Sequence, residues 1–244
     1  MQYVKIVLRE KLENNYYKVK GEQMKLFLNA LTKYICGLLL VGLLLFLPAG
    51  TFNYINGWIF IALLFIPILI LGIVLFIKSP ELLKKRLDGK EQEGTQKGVV
   101  AFSGLIFLIG FIVAGLDFRF GWSNMPKTVT VIASLLFLIS YGLYAEVMRE
   151  NIYLSRKVAV QENQKVIDTG LYSIVRHPMY MATVIMFLSI PIILGSVISF
   201  VIFIAYPFII AVRIKNEEEI LAEQLDGYDE YKQKVKYKMI PYIW

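Results

Sequence analysis

The sequence predicts an all-α integral membrane protein with about six transmembrane helices, the last two a short helical hairpin, and cytoplasmic helices at both ends. Three observations carry that expectation. The 244-residue chain is 57% hydrophobic and only 18% charged, with a mean hydropathy of +0.59, far from the balance of a soluble domain of this size. Apolar stretches run over roughly 26 to 47, 57 to 77, 98 to 116, 127 to 148, 179 to 194 and 196 to 212, and most approach the ~20 residues that a bilayer core requires. Of 26 Lys and Arg residues, all but Arg119 and Lys127 fall in segments on one side of the six-span arrangement. The positive-inside rule then puts both termini in the cytoplasm of a multi-pass protein of the cell (inner) membrane. The net charge of +7 is read as topology and attraction to anionic lipid, not as a nucleic-acid footprint.

Residues 1–25 form the first unit. Val4, Val7, Leu8 and Leu12 recur at helical spacing among Lys5, Arg9, Lys11 and Lys18, which fits equally a helix lying on the inner leaflet or a solvated cytoplasmic helix. Residues 26–148 supply four spans. The single cysteine, Cys36, lies in the first of them and can form neither an internal disulfide nor a thiolate metal site, so it is read as inert packing. Ser79-Pro80 opens a short cytoplasmic helix that carries Lys84, Lys85 and Arg86. Across the membrane, Asp117 and Arg119 suggest a structural ion pair beside an interfacial aromatic anchor, Trp122.

Residues 149–244 form the third unit, with a connecting loop, the hairpin 179–212 and a charged tail. Each arm of the hairpin is short for a bilayer core of ~30 Å at about 1.5 Å per residue, so the pair is expected to thin the membrane or to re-enter it. One long helix is the competing reading, but Pro191, Gly195 and Ser196 supply a break.

Candidate chemistry converges on this third unit. The chain's only histidine, His177, stands in Arg176-His177-Pro178-Met179-Tyr180. A first-turn proline starts a helix well, because its missing donor would be unpaired there anyway. His177 then falls at the cap, as a structural capping residue or as a functional one. Val166 and Ile167 suggest a short extended piece, and Asp168-Thr169-Gly170 a turn. Arg213 and Glu217, four apart, share one helix face. A guanidinium that forks onto a carboxylate and a glutamate that accepts from hydroxyls or an ammonium suit a zwitterionic cofactor and an acidic substrate. A surface ion pair is the plain alternative, and Glu217-Glu218-Glu219 alone reads as a solvated face. With one His and one intramembrane Cys, a metal site is not expected.

At these residues the sequence resembles the isoprenylcysteine carboxyl methyltransferase family, taken broadly to include its bacterial members and related phospholipid methyltransferases. The resemblance runs through Asp168-Thr169-Gly170-Leu171-Tyr172, Arg176 to Tyr180, Pro191 with Leu194-Gly195-Ser196, Arg213 with Glu217-Glu218, Leu225 with Gly227-Tyr228 and Tyr231, and Pro241 with Trp244. Upstream, Pro80 to Leu83 with Arg86, and Gly115 to Asp117 with Arg119-Phe120, add to it. The resemblance implies S-adenosylmethionine as methyl donor, with cofactor contacts at Gln164, Lys165, Val166, Ile167, Tyr172, His177, Pro178, Met179, Tyr180 and Glu218. It implies a substrate-side arginine at Arg213, and Arg213, His177 and Glu217 are the candidates for catalysis. Lys238 stands where bacterial members commonly carry arginine.

The acceptor that this implies is lipid-like or isoprenoid, with carboxyl O-methylation expected and phospholipid amine N-methylation as the alternative. A carboxylate is ionised near neutral pH and needs no general base, which suits a site with one histidine. A non-catalytic scaffold or small transporter is the reading from another class. Transport calls for charged or broken helices near the midplane, whereas these spans carry little besides Lys33 and Glu146 near their cytoplasmic ends.

Overall fold

A computed structural model describes residues 2–87, 94–154 and 160–244, with side chains described from residue 20 onward except at 88–95 and 155–159. It is helical, with no strand among the described residues. The order is α1 (Gln2–Ala49), α2 (Ile55–Lys78), α3 (Pro80–Leu87), α4 (Gly94–Phe120), α5 (Lys127–Glu150), a 3-10 turn (Gly170–Ser173), α6 (Pro178–Ile193), α7 (Val197–Phe203), α8 (Ala205–Gln224) and α9 (Tyr228–Lys234). Among the described residues five helical stretches are long and apolar enough to cross a membrane: Lys20–Ala49, Ile55–Lys78, Gln96–Phe120, Lys127–Glu150 and Val197–Gln224. The chain is thus a multi-pass membrane protein.

Two helix limits bear on how the site is placed. α1 runs without a break through residue 25, from Gln2 to Ala49, and Gly21 is tolerated inside it. The amphipathic face expected from Val4 to Lys18 lies outside the described side chains. The last two apolar stretches are also unequal. α6 is short, but α7 and α8 continue one another from Val197 to Gln224, so the helix carries on past residue 212 and takes Arg213 and the glutamates with it. The interruption at Ile204 precedes Pro207 in the first turn of α8. A proline ring clashes with the carbonyl four residues back and removes a donor.

Although α6 has 16 residues, about 24 Å of helix, its two ends lie at the two ends of the bundle. At the far end the turn Leu194-Gly195-Ser196 meets the start of α2 and the end of α4. Tyr54 Oη donates to Leu194 O at 2.6 Å and its ring stacks on Phe118 at 4.3 Å. Buried Asp117 accepts from Ser196 Oγ, and from Ser123 through its N–H at 2.7 Å and its Oγ at 2.6 Å. Gly195 takes φ 79° to make this turn, a conformation cheap for glycine. The expected Asp117 to Arg119 pair is absent from this cluster. Three serine donors satisfy the buried carboxylate, while the Arg119 guanidinium lies 5.6 Å from the Phe120 ring.

Packing inside the bundle is aromatic, with Phe60, Phe137 and Phe203 fully buried. In lipid, helices associate through close packing and buried hydrogen bonds. α4 and α7 do both: Ser199 Oγ donates to Gly110 O at 2.9 Å, and a Cβ at Gly110 would sit 2.3 Å from the Phe203 ring. Cys36, expected to pack, is exposed on α1.

Candidate functional site

At the other end of the bundle, the C-terminus of α5, the loop from residue 160, the 3-10 turn, the start of α6, the last turns of α8 and α9 surround one cleft. Its cavity volume is about 100 Å3, and it opens to solvent. Its walls include Asn151, Gln164, Lys165, Val166, Ile167, Tyr172, Arg176, His177, Met179, Tyr180, Arg213, Glu217, Tyr228 and Tyr231.

Local chain geometry explains how these groups are held. His177 is the N-cap of α6 and Pro178 its first residue. The N–H groups of Arg176 and His177 donate to Tyr237 O and Lys238 O at 2.9 and 2.8 Å, which straps the tail across the start of α6. The Gly170–Ser173 turn is seated on Glu150. Leu171 N–H donates to Glu150 Oε2 at 3.2 Å, and Gly170, at φ 51°, leaves no room for a side chain, since a Cβ would lie 1.8 Å from Glu150 Oε1. Val166 and Ile167 adopt no strand; they turn toward two small apolar clusters, with Ile167 beside Tyr172 and Val166 beside Tyr228 and Tyr231.

Most of the residues expected at the site share the cleft. Gln164, Lys165, Val166, Ile167, Tyr172, His177, Met179, Tyr180, Arg213 and Glu217 all line it. Pro178 and Glu218 do not. Pro178 is buried in the first turn of α6. Glu218 is buried behind the wall, where Oε1 accepts from Arg176 Nε at 2.6 Å and lies 3.2 Å from His177 Nε2, while Oε2 is 3.1 Å from Lys238 Nζ. Its oxygens are already committed to three neighbours, so the geometry gives it a bracing position.

The three glutamates of the acidic run therefore have three surroundings: Glu217 lines the cleft, Glu218 is interred, Glu219 is exposed. Arg213 and Glu217 do share a face, and Tyr180 bridges them. Arg213 Nε donates to Tyr180 Oη at 2.8 Å, and Tyr180 Oη donates to Glu217 Oε2. Gln96 at the start of α4 steadies this part of α8 through Asn216 Oδ1 at 2.6 Å.

The tail supplies residues that were not singled out as contacts. Tyr231 Oη donates to Tyr172 O at 2.7 Å. Tyr228 is 4% exposed, and its buried hydroxyl has no hydrogen-bond partner among the described residues. Burial, and then the negative charges of Glu218 and Glu217, raise the Tyr228 phenol well above its usual range. Tyr172 is pushed up to about 12 by burial, with a hydrogen bond from Asn151 Nδ2 at 2.9 Å acting the other way. Both tyrosines are thus neutral hydroxyls at physiological pH. Among the described residues, no group of three or more His, Cys, Asp or Glu is placed to hold a metal.

A multi-pass helical membrane protein with a polar cleft at one end of its bundle is the class that fold and geometry define. Residues 130–223 match the model of the Isoprenylcysteine carboxyl methyltransferase (ICMT) family, so the resemblance read from the sequence stands for the stretch that holds all but the first three residues of α5, the cleft loop, α6, α7 and all but the last residue of α8. Comparison with curated proteins gives no match.

Proposed function

We propose that the protein is an integral-membrane S-adenosylmethionine-dependent methyltransferase that acts on a lipid-like or isoprenoid acceptor, by carboxyl O-methylation. One observation carries this reading: the family-matching segment folds so that Gln164 to Ile167, Tyr172, His177, Met179 and Tyr180 line one cleft with Arg213 and Glu217. The cleft suits a zwitterionic cofactor with a flat heterocycle. It offers Lys165 and Gln164, the carboxylate of Glu217, apolar surface from Val166, Ile167 and Met179, and the Tyr228 hydroxyl, which has no partner among the described residues.

When bound, S-adenosylmethionine supplies an electrophilic methyl group on a sulfonium. The chain's own task is to hold an acceptor close, aligned and away from water. Arg213, 8% exposed and oriented by Tyr180, would pair with the acceptor carboxylate. Glu217 would accept from an ammonium or hydroxyl group of the cofactor. His177, braced on Glu218, would present one ring edge to the cleft. No general base is needed for a carboxylate that is already ionised.

A second reading, N-methylation of an amine, is favoured by Glu217, which lines the cleft and could take the proton that an amine must lose. The test is incubation of detergent-purified protein with labelled methyl donor and a membrane lipid extract, alongside calorimetric binding of S-adenosylhomocysteine. Alkali-labile label released as methanol supports the ester, an alkali-stable product supports the amine, and no binding and no transfer overturn both.

We also place the cleft and both termini on the cytoplasmic side, on the strength of the 24 basic residues that share one side of the six-span arrangement against two on the other. Reporter fusions at residue 195 and at the C-terminus should fall on opposite sides. A cytoplasmic signal at both would overturn the placement.

A further inference from the structure

We propose that the turn Ile240–Trp244 is a membrane-docking surface, which inserts its apolar side chains among lipid headgroups at the end of the bundle that carries the cleft. The depth of this turn is fixed by the chain before it. Tyr237 and Lys238 accept from the N–H groups of Arg176 and His177, directly before the first residue of α6. Met239 follows, 3% exposed, in the same hydrophobic cluster as Tyr180 and Val184 of α6 and Ile210 and Ile214 of α8. The tail therefore does not hang in solvent after α9. It returns to the bundle and is pinned at the level where α6 begins.

From that point the chain closes on itself. Met239 and Ile240 N–H groups both donate to the Trp244 main-chain oxygen at 2.9 Å, and Trp244 N–H donates back to Ile240 O at 3.0 Å. Tyr242 takes φ 65° to complete the turn, a conformation that costs a non-glycine residue about 1 kcal/mol or more. The result is to face outward the side chains that a soluble tail would hide. Tyr242 is 87% and Ile243 79% exposed, and Ile240 and Trp244 are partly so.

The neighbouring charges select the occupant. Lys234, Lys236 and Lys238 precede the turn; Lys234 pairs with Asp168 at 2.7 Å and Lys238 with Glu218 at 3.1 Å, the Lys238 ammonium lies 5.5 Å over the Trp244 ring, and Lys236 is exposed. Aromatic and branched apolar side chains beside lysines are the composition of an interfacial anchor, apolar toward the acyl boundary and basic toward anionic headgroups. The strap before the turn meets the first residues of α6, so the proposal puts the turn at the level where that apolar helix begins. The same strap holds the cleft, since Arg176 Nη1 donates to Val235 O and Lys236 O at 2.7 and 3.0 Å. Lipid contact at the turn thus secures one wall of the site.

The test does not depend on any activity. Trp58→Phe with Trp122→Phe leaves Trp244 as the one tryptophan of three, and the protein is reconstituted in nanodiscs of mixed zwitterionic and anionic phospholipid. Bromine on the upper acyl chain should remove most of the Trp244 emission, while aqueous iodide should leave it nearly intact. Strong iodide quenching with no effect of bromolipid overturns the proposal. Should that double variant fail to fold, Ile243→Cys in a Cys36→Ser background, labelled with an environment-sensitive fluorophore, reads the same surface. Blue-shifted emission quenched by headgroup-proximal spin-labelled lipid supports docking, and water-like emission quenched by iodide overturns it.

Discussion

Arg176, in the cleft wall, and Glu218, behind it, are 42 positions apart and meet at 2.6 Å, with side chains only 7% and 10% exposed. The pair joins the start of α6 to α8, and His177 and Lys238 share the same carboxylate. Breaking a buried pair strands the surviving charge, at a cost of about 3–5 kcal/mol. Glu218→Ala should therefore lower the thermal unfolding midpoint strongly. Glu219→Ala, one residue on and exposed, should change it little; equal effects would remove Glu218 from its bracing position.

Tyr228 and Tyr231 offer a contrast within one short helix. Tyr231→Phe removes a buried bond to Tyr172 O and should cost about 1 kcal/mol of stability. Tyr228→Phe removes a hydroxyl with no partner among the described residues, so stability should hold or rise. If the cleft binds S-adenosylhomocysteine with help from that hydroxyl, Tyr228→Phe should weaken binding roughly tenfold, the worth of about 1.4 kcal/mol. Calorimetry on the two variants checks the reversal of order.

For Arg213, replacement by lysine keeps the charge and loses the planar fork. Turnover on a carboxylate acceptor should fall while affinity for S-adenosylhomocysteine stays near that of the parent. A parallel loss of both would shift Arg213 from the acceptor to the cofactor.

Gly170→Ala meets two costs at once. The left-handed backbone costs about 1–2 kcal/mol, and the new Cβ runs into the Glu150 carboxylate. Glu150→Ala removes the collision but also the bond to Leu171 N–H. The double variant should be more stable than the sum of the two single losses predicts. Simple additivity in thermal unfolding would mean that the turn moves away from α5 instead.

Alkaline pH tests Tyr172. Its folded-state value of about 12 lies above the usual 10.0, so its contribution is complete below pH 10 and is lost as pH rises toward 12. Over that window the loss is on the order of 2 kcal/mol. Tyr172→Phe forfeits the bond from Asn151 at neutral pH but should show a shallower decline in unfolding midpoint above pH 10. Identical alkaline slopes would place the hydroxyl in solvent.

How much of this was legible in the sequence depends on the range of the signal. Pro178 after His177 announces a helix start by local sterics alone, and the structure caps α6 there. Gln164 to Ile167, singled out through the resemblance, line the cleft. The direction of adjacent glutamates was not legible, because neighbours on a helix point about 100° apart and only the partners across the fold decide which one is interred. Arg176 was in view as part of a motif, yet its partner lies on another helix. Asp117 misled for a similar reason: Arg119 is near in sequence, whereas Ser196 is 79 positions away. The interruption at Ile204 had a visible cause in Pro207, masked by the apolar run around it.

The tail that straps Arg176 and His177 also sets an order of assembly. Chains are made from the N-terminus, and contacts across some 60 positions must wait until the intervening hairpin has formed. The helices can enter the bilayer and pack while the cleft still lacks its Tyr228 and Tyr231 wall. If the cleft binds S-adenosylmethionine as proposed, that capacity follows insertion and packing, and a chain made only as far as Gly227 would be membrane-inserted yet blind to the cofactor.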